Sequence, residues 1–246
     1  MTQARSLPRI AVVGCGGLGV PAAWTLALSG ARKLCLVDTD HVELSNLHRQ
    51  VLYDQIDCER PKASALAAAL HSRFDHMDIQ CLDQRLTQEN VEVLLSGCTA
   101  AVEGSDDAVA KFALSDWAIS GPGELPPRTA VIAAAIGRRG QWMVVEPHGA
   151  CYRCLFEEPP PAEMLATCAV AGVLGPVVGT VGALAARSLL RSLRGRSDPA
   201  RSALVRWLPG EIRQTKVTRA ADCPCAAALR TLNAIRRGGM GPRLDG

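Results

Sequence analysis

The residues best suited to do chemistry lie together in one short stretch, Asp38 to Gln50. It offers carboxylates, amides, imidazoles and a guanidinium, with too little hydrophobic periodicity for a core element. We expect it to be a loop that lines a site. Shortly after it, Pro61 opens a predicted helix with Lys62 in its first turn, where a cation is disfavoured unless an anion binds there. Arg49 and Lys62 could together hold a triphosphate, or both could be solvated surface charges.

A strand followed by a glycine-rich turn must position this loop. After an apolar run, Gly14, Gly16 and Gly19 follow at the G-x-G-x-x-G spacing, and a helical pattern then begins. In that arrangement one glycine permits the tight turn, one lets the backbone approach a phosphate, and one permits close helix–strand packing. A second apolar run, residues 33–37, leads to Asp38, where a dinucleotide-binding fold places the acid that binds a ribose hydroxyl. The pattern predicts nucleotide binding, and a glycine-rich turn that binds nothing is the alternative.

Composition and charge argue against several classes of protein. The 246 residues carry a net charge of +3, which is too weak to imply a nucleic-acid surface, and no signal region opens the chain. Residues 168–186 contain no charge over nineteen positions, close to the length of a membrane span. Their internal proline and glycines, and the lack of flanking aromatic anchors, favour a helix packed in a soluble domain or at a subunit interface. We expect no obligate nucleic acid, no membrane partner and a reducing, cytoplasmic location.

The order of predicted elements indicates an α/β fold. Strands and helices alternate, which is typical of a Rossmann-like, doubly wound and mostly parallel sheet that binds ligands at the carboxyl ends of its strands. Strands are predicted at 9–13, 33–37, 78–82, 99–103, 129–135 and 141–146, and helices at 17–30, 61–73, 88–95 and 106–119. A long apolar helix is predicted to end at about Leu193. A hairpin within 202–217 then adds an antiparallel C-terminal extension to the sheet. We expect one domain over residues 1–246, with 226–246 as a candidate disordered tail.

Two spacings stand out among the ten cysteines. Five cysteines are scattered through predicted elements and their junctions, where a free cysteine behaves as a small hydrophobe: Cys15, Cys35, Cys58, Cys81 and Cys98. In contrast, Cys151 with Cys154, and Cys223 with Cys225, form close pairs. In a cytosolic chain such pairs more often indicate a metal site than a disulfide, and free thiols or a redox pair are the alternatives.

Six motifs, in order along residues 9–225, carry a family resemblance. They are Gly14-Cys-Gly-Gly-Leu-Gly19, Val37-Asp-Thr-Asp40, Leu44-Ser-Asn-Leu-His-Arg-Gln50, Arg60-Pro-Lys62, Cys151-Tyr-Arg-Cys154 and Cys168-Ala-Val-Ala-Gly-Val-Leu-Gly-Pro-Val-Val-Gly179. Together they resemble the ThiF/MoeB/HesA family, the bacterial relatives of ubiquitin-activating enzymes. The ThiF branch is the nearest, through Arg60-Pro-Lys62 and Gly175-Pro-Val-Val-Gly179.

The resemblance implies an adenylyltransferase that uses ATP and Mg²⁺ to activate the C-terminal glycine of a small ubiquitin-like carrier. It places Gly16 and Gly17 under the phosphates and Asp38 at the ribose. The further nucleotide contacts that it implies are Gly14, Gly19, Asp40, Asn46, Arg49, Gln50 and Lys62. Arg49 and Lys62 would also be catalytic, because they spread positive charge over a transition state whose charge lies on oxygen.

The family's Asp-Cys-Thr-Asp-Asn motif corresponds here to residues 103–107, Glu-Gly-Ser-Asp-Asp. This match implies that Asp106 is catalytic and binds magnesium; from spacing alone, a helix-capping acid is an equally good alternative. Lys111 stands where relatives often have arginine. Relatives also have an N-terminal arginine that reaches the triphosphate of the partner subunit, and here Arg5 or Arg9 replaces it or that contribution is absent.

The resemblance also implies roles for the remaining cysteines. Four thiolates, from Cys151, Cys154, Cys223 and Cys225, would hold one Zn²⁺ and tie the C-terminal segment to the fold. The second pair departs from the usual C-x-x-C spacing, so Cys225 is less well supported than Cys223. Cys168 matches a cysteine that can link covalently to the carrier, and a buried small hydrophobe is the alternative.

The implied assembly is a homodimer that acts on a sulfur-carrier protein ending in Gly-Gly and receives sulfur from a separate donor protein. Other functions stay open. An NAD-dependent oxidoreductase would use the same glycine turn and Asp38, but it has no need of Arg49, Lys62 or a zinc site. A non-catalytic family member could act only as a binding partner, and an adenylating member could act on an RNA base or a peptide terminus.

Overall fold

An eight-stranded sheet organises the chain. The structure, a computed structural model, describes residues 7–120, 127–147, 149–159, 172–223 and 225. The strands are β1 (Arg9–Val13), β2 (Lys33–Val37), β3 (Asp78–Leu82), β4 (Cys98–Glu103), β5 (Thr129–Ile136), β6 (Arg139–Val145), β7 (Ala203–Leu208) and β8 (Glu211–Lys216). They lie side by side in the order β3-β2-β1-β4-β5-β6-β7-β8. The pairs from β3 to β5 are parallel and those from β5 to β8 are antiparallel, so the predicted fold class and its antiparallel extension are confirmed.

Helices cover both faces of this sheet. They are α1 (Gly19–Leu28), α2 (Lys62–His71), α3 (Val91–Leu94), α4 (Ala108–Ile119) and α5 (Gly175–Leu193), with short 3₁₀ turns at Leu44–Arg49, Gln55–Asp57 and Tyr152–Cys154. The boundaries differ from the predicted ones mainly at helix starts. The helix predicted at 88–95 begins only at Val91, because the Asn90 side chain accepts a hydrogen bond from the Thr87 backbone N–H and a turn replaces the first helical residues.

Successive residues of β1 point to opposite hydrophobic layers. Ile10 and Val12 pack with the layer formed by α1, α2 and α5, whereas Ala11 and Val13 pack with the layer of α3 and α4. A strand buried on both faces reads as an uninterrupted apolar run, which is why the sequence predicts it well. Its carboxyl end delivers the glycine turn.

Within the apolar segment 168–186, residues 175–186 belong to helix α5, which packs inside the domain. Helix α5 lies on α1, where a Cβ on Gly182 would stand 2.2 Å from the Leu18 carbonyl oxygen. The small residue therefore permits the close approach of the two helices. No helix within the described ranges is long and apolar enough to cross a membrane. The predicted tail, 226–246, lies outside the described residues.

Candidate functional site

The glycine turn joins β1 to α1 at the carboxyl edge of the parallel strands. Gly14 has φ +83°, and a Cβ there would lie 2.6 Å from the Ser105 backbone nitrogen. A Cβ on Gly19 would lie 1.7 Å from the Gly14 carbonyl oxygen, so both positions require glycine. At Gly16 a Cβ would meet, among the described residues, only the Gln50 Nε2 atom at 3.6 Å. The backbone at Gly16 is therefore accessible to a ligand, as the motif predicts.

Asp38, at the end of β2, holds the turn in place. Its carboxylate accepts hydrogen bonds from the backbone N–H of Cys15 (2.5 Å) and of Asp40 (2.7 Å). Burial raises the pKa of Asp38, and these two hydrogen bonds oppose that rise. Each carboxylate oxygen has used one of its two lone pairs, so the group can still accept hydrogen bonds from a ribose.

Lys62 is buried rather than solvated. The whole residue is 7% exposed, and its ammonium lies 2.7 Å from the Asp40 carboxylate. The Tyr53 hydroxyl lies 2.7 Å from the Cys15 carbonyl oxygen and 3.1 Å from that of Lys62. It thereby joins the glycine turn to the start of α2. Lys62 is thus fixed beside the turn, although its sequence position lies far from it.

The loop between β2 and α2 brings the remaining polar residues to the same edge. Arg49, which is half-buried, donates a hydrogen bond to the Asn46 side-chain oxygen. Gln50 is 2% exposed, and its Oε1 atom has no hydrogen-bond partner among the described residues. A buried acceptor without a partner costs free energy, so this amide fits a site that a ligand with a hydrogen-bond donor completes.

Two adjacent acids follow β4, and the structure separates their roles. Asp107 caps α4 by accepting a hydrogen bond from the Val109 backbone N–H at 2.9 Å, and it pairs with Arg85. Partial burial tends to raise the pKa of Asp107, but hydrogen bonds from Arg85 and Val109 outweigh it and lower that pKa. The capping role therefore belongs to Asp107. Asp106 is exposed, with no hydrogen bond to its carboxylate among the described residues, so it remains accessible to a cation.

Sequence reasoning missed an ion pair beneath this turn. Glu103, at the end of β4, is 0% exposed and pairs with the ammonium of Lys111 on α4. Lys111 therefore points into the protein and not towards the glycine turn. One feature of the sequence could have revealed this pair. Glu103 and Lys111 are charged, yet the strand and helix patterns assign both positions to the core.

The four paired cysteines form a compact cluster. Their sulfur atoms all lie within 4.8 Å of one another, with 3.7 Å between Cys151 and Cys154, 3.4 Å between Cys151 and Cys223, and 3.5 Å between Cys154 and Cys225. Four thiolates placed tetrahedrally about 2.3 Å from a zinc ion would lie about 3.8 Å apart. The donor set and spacing fit a metal, and Cys225 joins the cluster despite its unusual spacing.

Helix α4 contacts the segment that carries Cys151 and Cys154. The Ser115 hydroxyl accepts a hydrogen bond from the Tyr152 backbone N–H at 3.0 Å, and Asp116 pairs with Arg153 at 3.0 Å. Burial raises the pKa of the Cys151 thiol, so this sulfur favours its protonated form until a cation binds.

The comparison with known families decides what kind of chain this is. The model of the ThiF family matches residues 2–225. The chain belongs to the ThiF family. The similar relatives include MOCS3, an adenylyltransferase and sulfurtransferase of Drosophila sechellia, which is 36% identical over 190 residues, covering 77% of this chain and 41% of the relative. A sulfur carrier protein adenylyltransferase of Thermus thermophilus is 34% identical over 223 residues, covering 87% of this chain and 80% of the relative.

Solved structures agree with this ThiF-family fold. A crystal structure of E. coli MccB with ATP matches with a TM-score of 0.77 at 18% sequence identity, covering 90% of this chain and 68% of that chain. At this identity the likeness shows the fold alone. The chain spans less than half of the MOCS3 relative, so the relatives' activities stand as proposals for it.

The structure describes one of three further predicted residues of this ThiF-family chain. Cys168 and Arg5 lie outside the described residues. Arg9 lies at the amino end of β1, the end opposite the glycine turn, and its guanidinium pairs with Asp78 at 2.5 Å.

Proposed function

We propose that this chain transfers AMP from ATP to the C-terminal glycine of a ubiquitin-like sulfur carrier ending in Gly-Gly. The observation that carries the proposal is the convergence of three groups on an open glycine turn in a ThiF-family chain. They are buried Lys62, Asp38 and the Gln50 acceptor, which has no partner among the described residues. The name of the Thermus thermophilus relative, which acts on a sulfur carrier protein, supports the choice of substrate.

The residues of the chain perform distinct parts of this reaction. The backbone N–H groups at the start of α1 attract the phosphates, and Asp38 accepts hydrogen bonds from the ribose hydroxyls. A carboxylate oxygen of the carrier's terminal glycine attacks the α-phosphorus, and the bond from that phosphorus to the leaving pyrophosphate breaks. Lys62 and Arg49 stabilise the negative charge that the phosphate oxygens carry in this step.

Asp106 is the proposed magnesium ligand. Its exposed carboxylate is not engaged in capping α4, and oxygen ligands of this kind suit Mg²⁺. When bound, Mg²⁺ neutralises charge on the departing pyrophosphate.

Zinc is the proposed metal of the cysteine cluster. Four thiolates without a water ligand are typical of a closed structural zinc site rather than a catalytic one. Bound there, the metal would tie the segment after β8 to the segment after β6. Its role would be to hold the C-terminal part of the domain against α4.

Cys168 is the proposed attachment point for the carrier after adenylation. Its thiolate would attack the acyl carbon of the adenylate and displace AMP, forming a thioester with the carrier. Cys168→Ser should keep pyrophosphate exchange and lose a carrier adduct that a thiol reductant or hydroxylamine cleaves. An adduct that persists in this variant would contradict the role. The sulfur itself would come from a separate donor protein.

We also propose a cytoplasmic homodimer, because the family resemblance implies two subunits and the cysteine pattern suits a reducing compartment. Light scattering coupled to gel filtration tests the dimer directly. A monomer at micromolar concentration would contradict it.

The decisive experiment is carrier-dependent exchange of labelled pyrophosphate into ATP. Ubiquitin-like carriers ending in Gly-Gly should support exchange, and the same carriers without the last glycine should not. ATP binding without exchange for any carrier would contradict the carrier as substrate and favour an RNA base or a peptide terminus. NAD binding without ATP binding would favour the oxidoreductase, and carrier binding without ATP turnover would favour a non-catalytic partner.

A further inference from the structure

The buried pair of Glu103 and Lys111 has no part in the reaction described above. The Lys111 ammonium has three N–H donors, and all three are engaged: one with Glu103, one with the Ser105 carbonyl oxygen at 2.7 Å and one with the Ala133 carbonyl oxygen at 2.9 Å. Burial raises the pKa of Glu103, and the Lys111 charge opposes that rise. The pair is thus enclosed and fully hydrogen-bonded.

The turn that follows β4 is wrapped around this pair. The other carboxylate oxygen of Glu103 accepts hydrogen bonds from the backbone N–H of Ser105 at 2.8 Å and from its hydroxyl at 2.5 Å. The Ser105 hydroxyl in turn accepts one from the Asp107 backbone N–H at 3.1 Å. Lys111 also binds the Ser105 carbonyl oxygen, so both sides of Ser105 are fixed by the pair.

The same turn is pressed against the glycine turn. The Gly104 backbone N–H donates to the Val13 carbonyl oxygen at 2.9 Å, and Ser105 occupies the space that a Cβ on Gly14 would need. Asp106 stands between Ser105 and the helix cap Asp107. Its position relative to Gly14 therefore depends on Ser105 and Asp107, its two neighbours in the chain. Ser105 binds Glu103 directly, and Asp107 is linked to Glu103 through the Ser105 hydroxyl.

Stability alone does not account for two buried charges here. Removing them from water costs several kcal/mol per ion, and well-packed hydrophobic residues of similar volume often give equal or greater stability. A buried ion pair with satisfied hydrogen bonds does give one thing that a hydrophobic contact does not, namely a single fixed geometry for the groups bound to it.

We propose that Glu103 and Lys111 are positioning residues that set Asp106 at the distance from the glycine turn at which it binds the Mg²⁺ of MgATP. This inference rests on the proposed function. Misplacement of a catalytic group by about 1 Å can cost about 100-fold in rate. A change in this pair should therefore affect the magnesium requirement far more than the stability.

The test compares two paired variants. Glu103→Met/Lys111→Met removes both charges and every hydrogen bond from these two side chains to Ser105 at nearly constant volume, and it leaves the bond from the Asp107 backbone N–H to the Ser105 hydroxyl. Glu103→Asp/Lys111→Arg keeps both charges. It shortens the acidic side chain by one methylene and lengthens the basic side chain by about one atom. The matched control is Glu92→Met/Arg128→Met, which removes a bidentate ion pair with distances of 2.7 and 2.8 Å between α3 and the residue before β5.

Three quantities are measured for each protein: the midpoint of urea unfolding, the Mg²⁺ concentration for half-maximal pyrophosphate exchange, and amide hydrogen exchange of residues 103–107. For the methionine pair we expect an unfolding midpoint near that of the wild type, a Mg²⁺ requirement raised about tenfold, and faster amide exchange at Ser105 and Asp107. The aspartate–arginine pair should restore the Mg²⁺ requirement to within about threefold, whereas Glu103→Asp alone should not.

A methionine pair with the wild-type Mg²⁺ requirement and wild-type amide exchange would overturn the inference. The inference is also overturned if Glu103→Asp/Lys111→Arg has the same raised Mg²⁺ requirement as Glu103→Asp alone. This second test does not depend on the folding of the methionine variant. Failure of the proposed function gives a different pattern. In that case the wild type shows no pyrophosphate exchange, while the amide exchange of residues 103–107 still reports whether the pair holds the turn.

Discussion

The two candidate cation sites of this chain are built in opposite ways. In the cysteine cluster, three of the four ligand residues are buried and each sulfur faces the other sulfurs. At the carboxyl edge of the sheet, Asp106 is exposed, and Gln50 and Asp38 have acceptor capacity that the described residues do not use. The difference fits the proposed roles, in which the first site would keep its metal ion and the second would exchange its ligands at every turnover.

The largest effect should come from Lys62→Ala, which removes the buried ammonium beside the glycine turn. We expect pyrophosphate exchange to fall by more than about 100-fold, because one preorganised charge-stabilising donor is worth that much. The protein should still fold, because the Asp40 partner left behind is largely exposed. Lys33→Ala, which removes an exposed lysine at the start of β2, is the control. Full exchange activity in Lys62→Ala would contradict the role.

Loss of the cysteine cluster should give the opposite result, a loss of stability with the nucleotide site left intact. Cys151→Ser should purify without stoichiometric zinc and melt about 10 °C lower, the shift for about 3 kcal/mol in a chain of this size. Elemental analysis and calorimetry measure both quantities, and Cys81→Ser, at an exposed cysteine outside the cluster, should change neither. Freshly purified wild-type protein without zinc would refute the zinc assignment.

Asp106 and Asp107 allow a loss of activity to be compared with a loss of stability at two adjacent residues. Asp107→Ala should lower the free energy of unfolding by about 1 kcal/mol, since it removes the cap of α4. Asp106→Ala should leave stability unchanged and abolish magnesium-dependent exchange. Urea unfolding and pyrophosphate exchange of the two variants check this, and it is wrong if the two phenotypes are interchanged.

The smallest effect concerns pH. Because the folded protein lowers the pKa of Asp107 below its ordinary value of 3.8, this carboxylate adds stability that is present above that value and lost as the pH falls through the lower, folded-state pKa. The stability difference between wild type and Asp107→Asn should therefore shrink below about pH 4. Urea unfolding from pH 3 to 7 measures it, and a difference that is constant over that range would contradict the assignment.

The sequence predicts those parts of the site that depend on local geometry. The strand, glycine turn and Asp38 follow from an apolar run and a glycine spacing for which few backbone paths exist. The burial of Lys62 does not follow in this way. It depends on Tyr53 joining the glycine turn to Lys62, and on the ion pair with Asp40, across a loop with no regular pattern.

Two outcomes that the sequence did not settle have the same cause. The Cys-x-Cys spacing left Cys225 less well supported than Cys223, yet its sulfur reaches the cluster because the chain after β8 passes beside the residues after β6. The burial of Lys111 was not predicted, because the sequence shows its distance from Asp106 but not the direction in which α4 turns it. Both outcomes are set by tertiary packing rather than by spacing.

Helix α4 begins at Ala108, directly after the Asp106 turn, and about two turns later it supports the cysteine cluster through Ser115 and Asp116. Each inserted or deleted residue in a helix rotates everything beyond it by about 100° and shifts it by about 1.5 Å. A single-residue insertion here would therefore turn Ser115 away from Tyr152 while the cap at Asp107 stayed in place. Over evolutionary time, the length of this helix should tolerate change far less than its surface residues do.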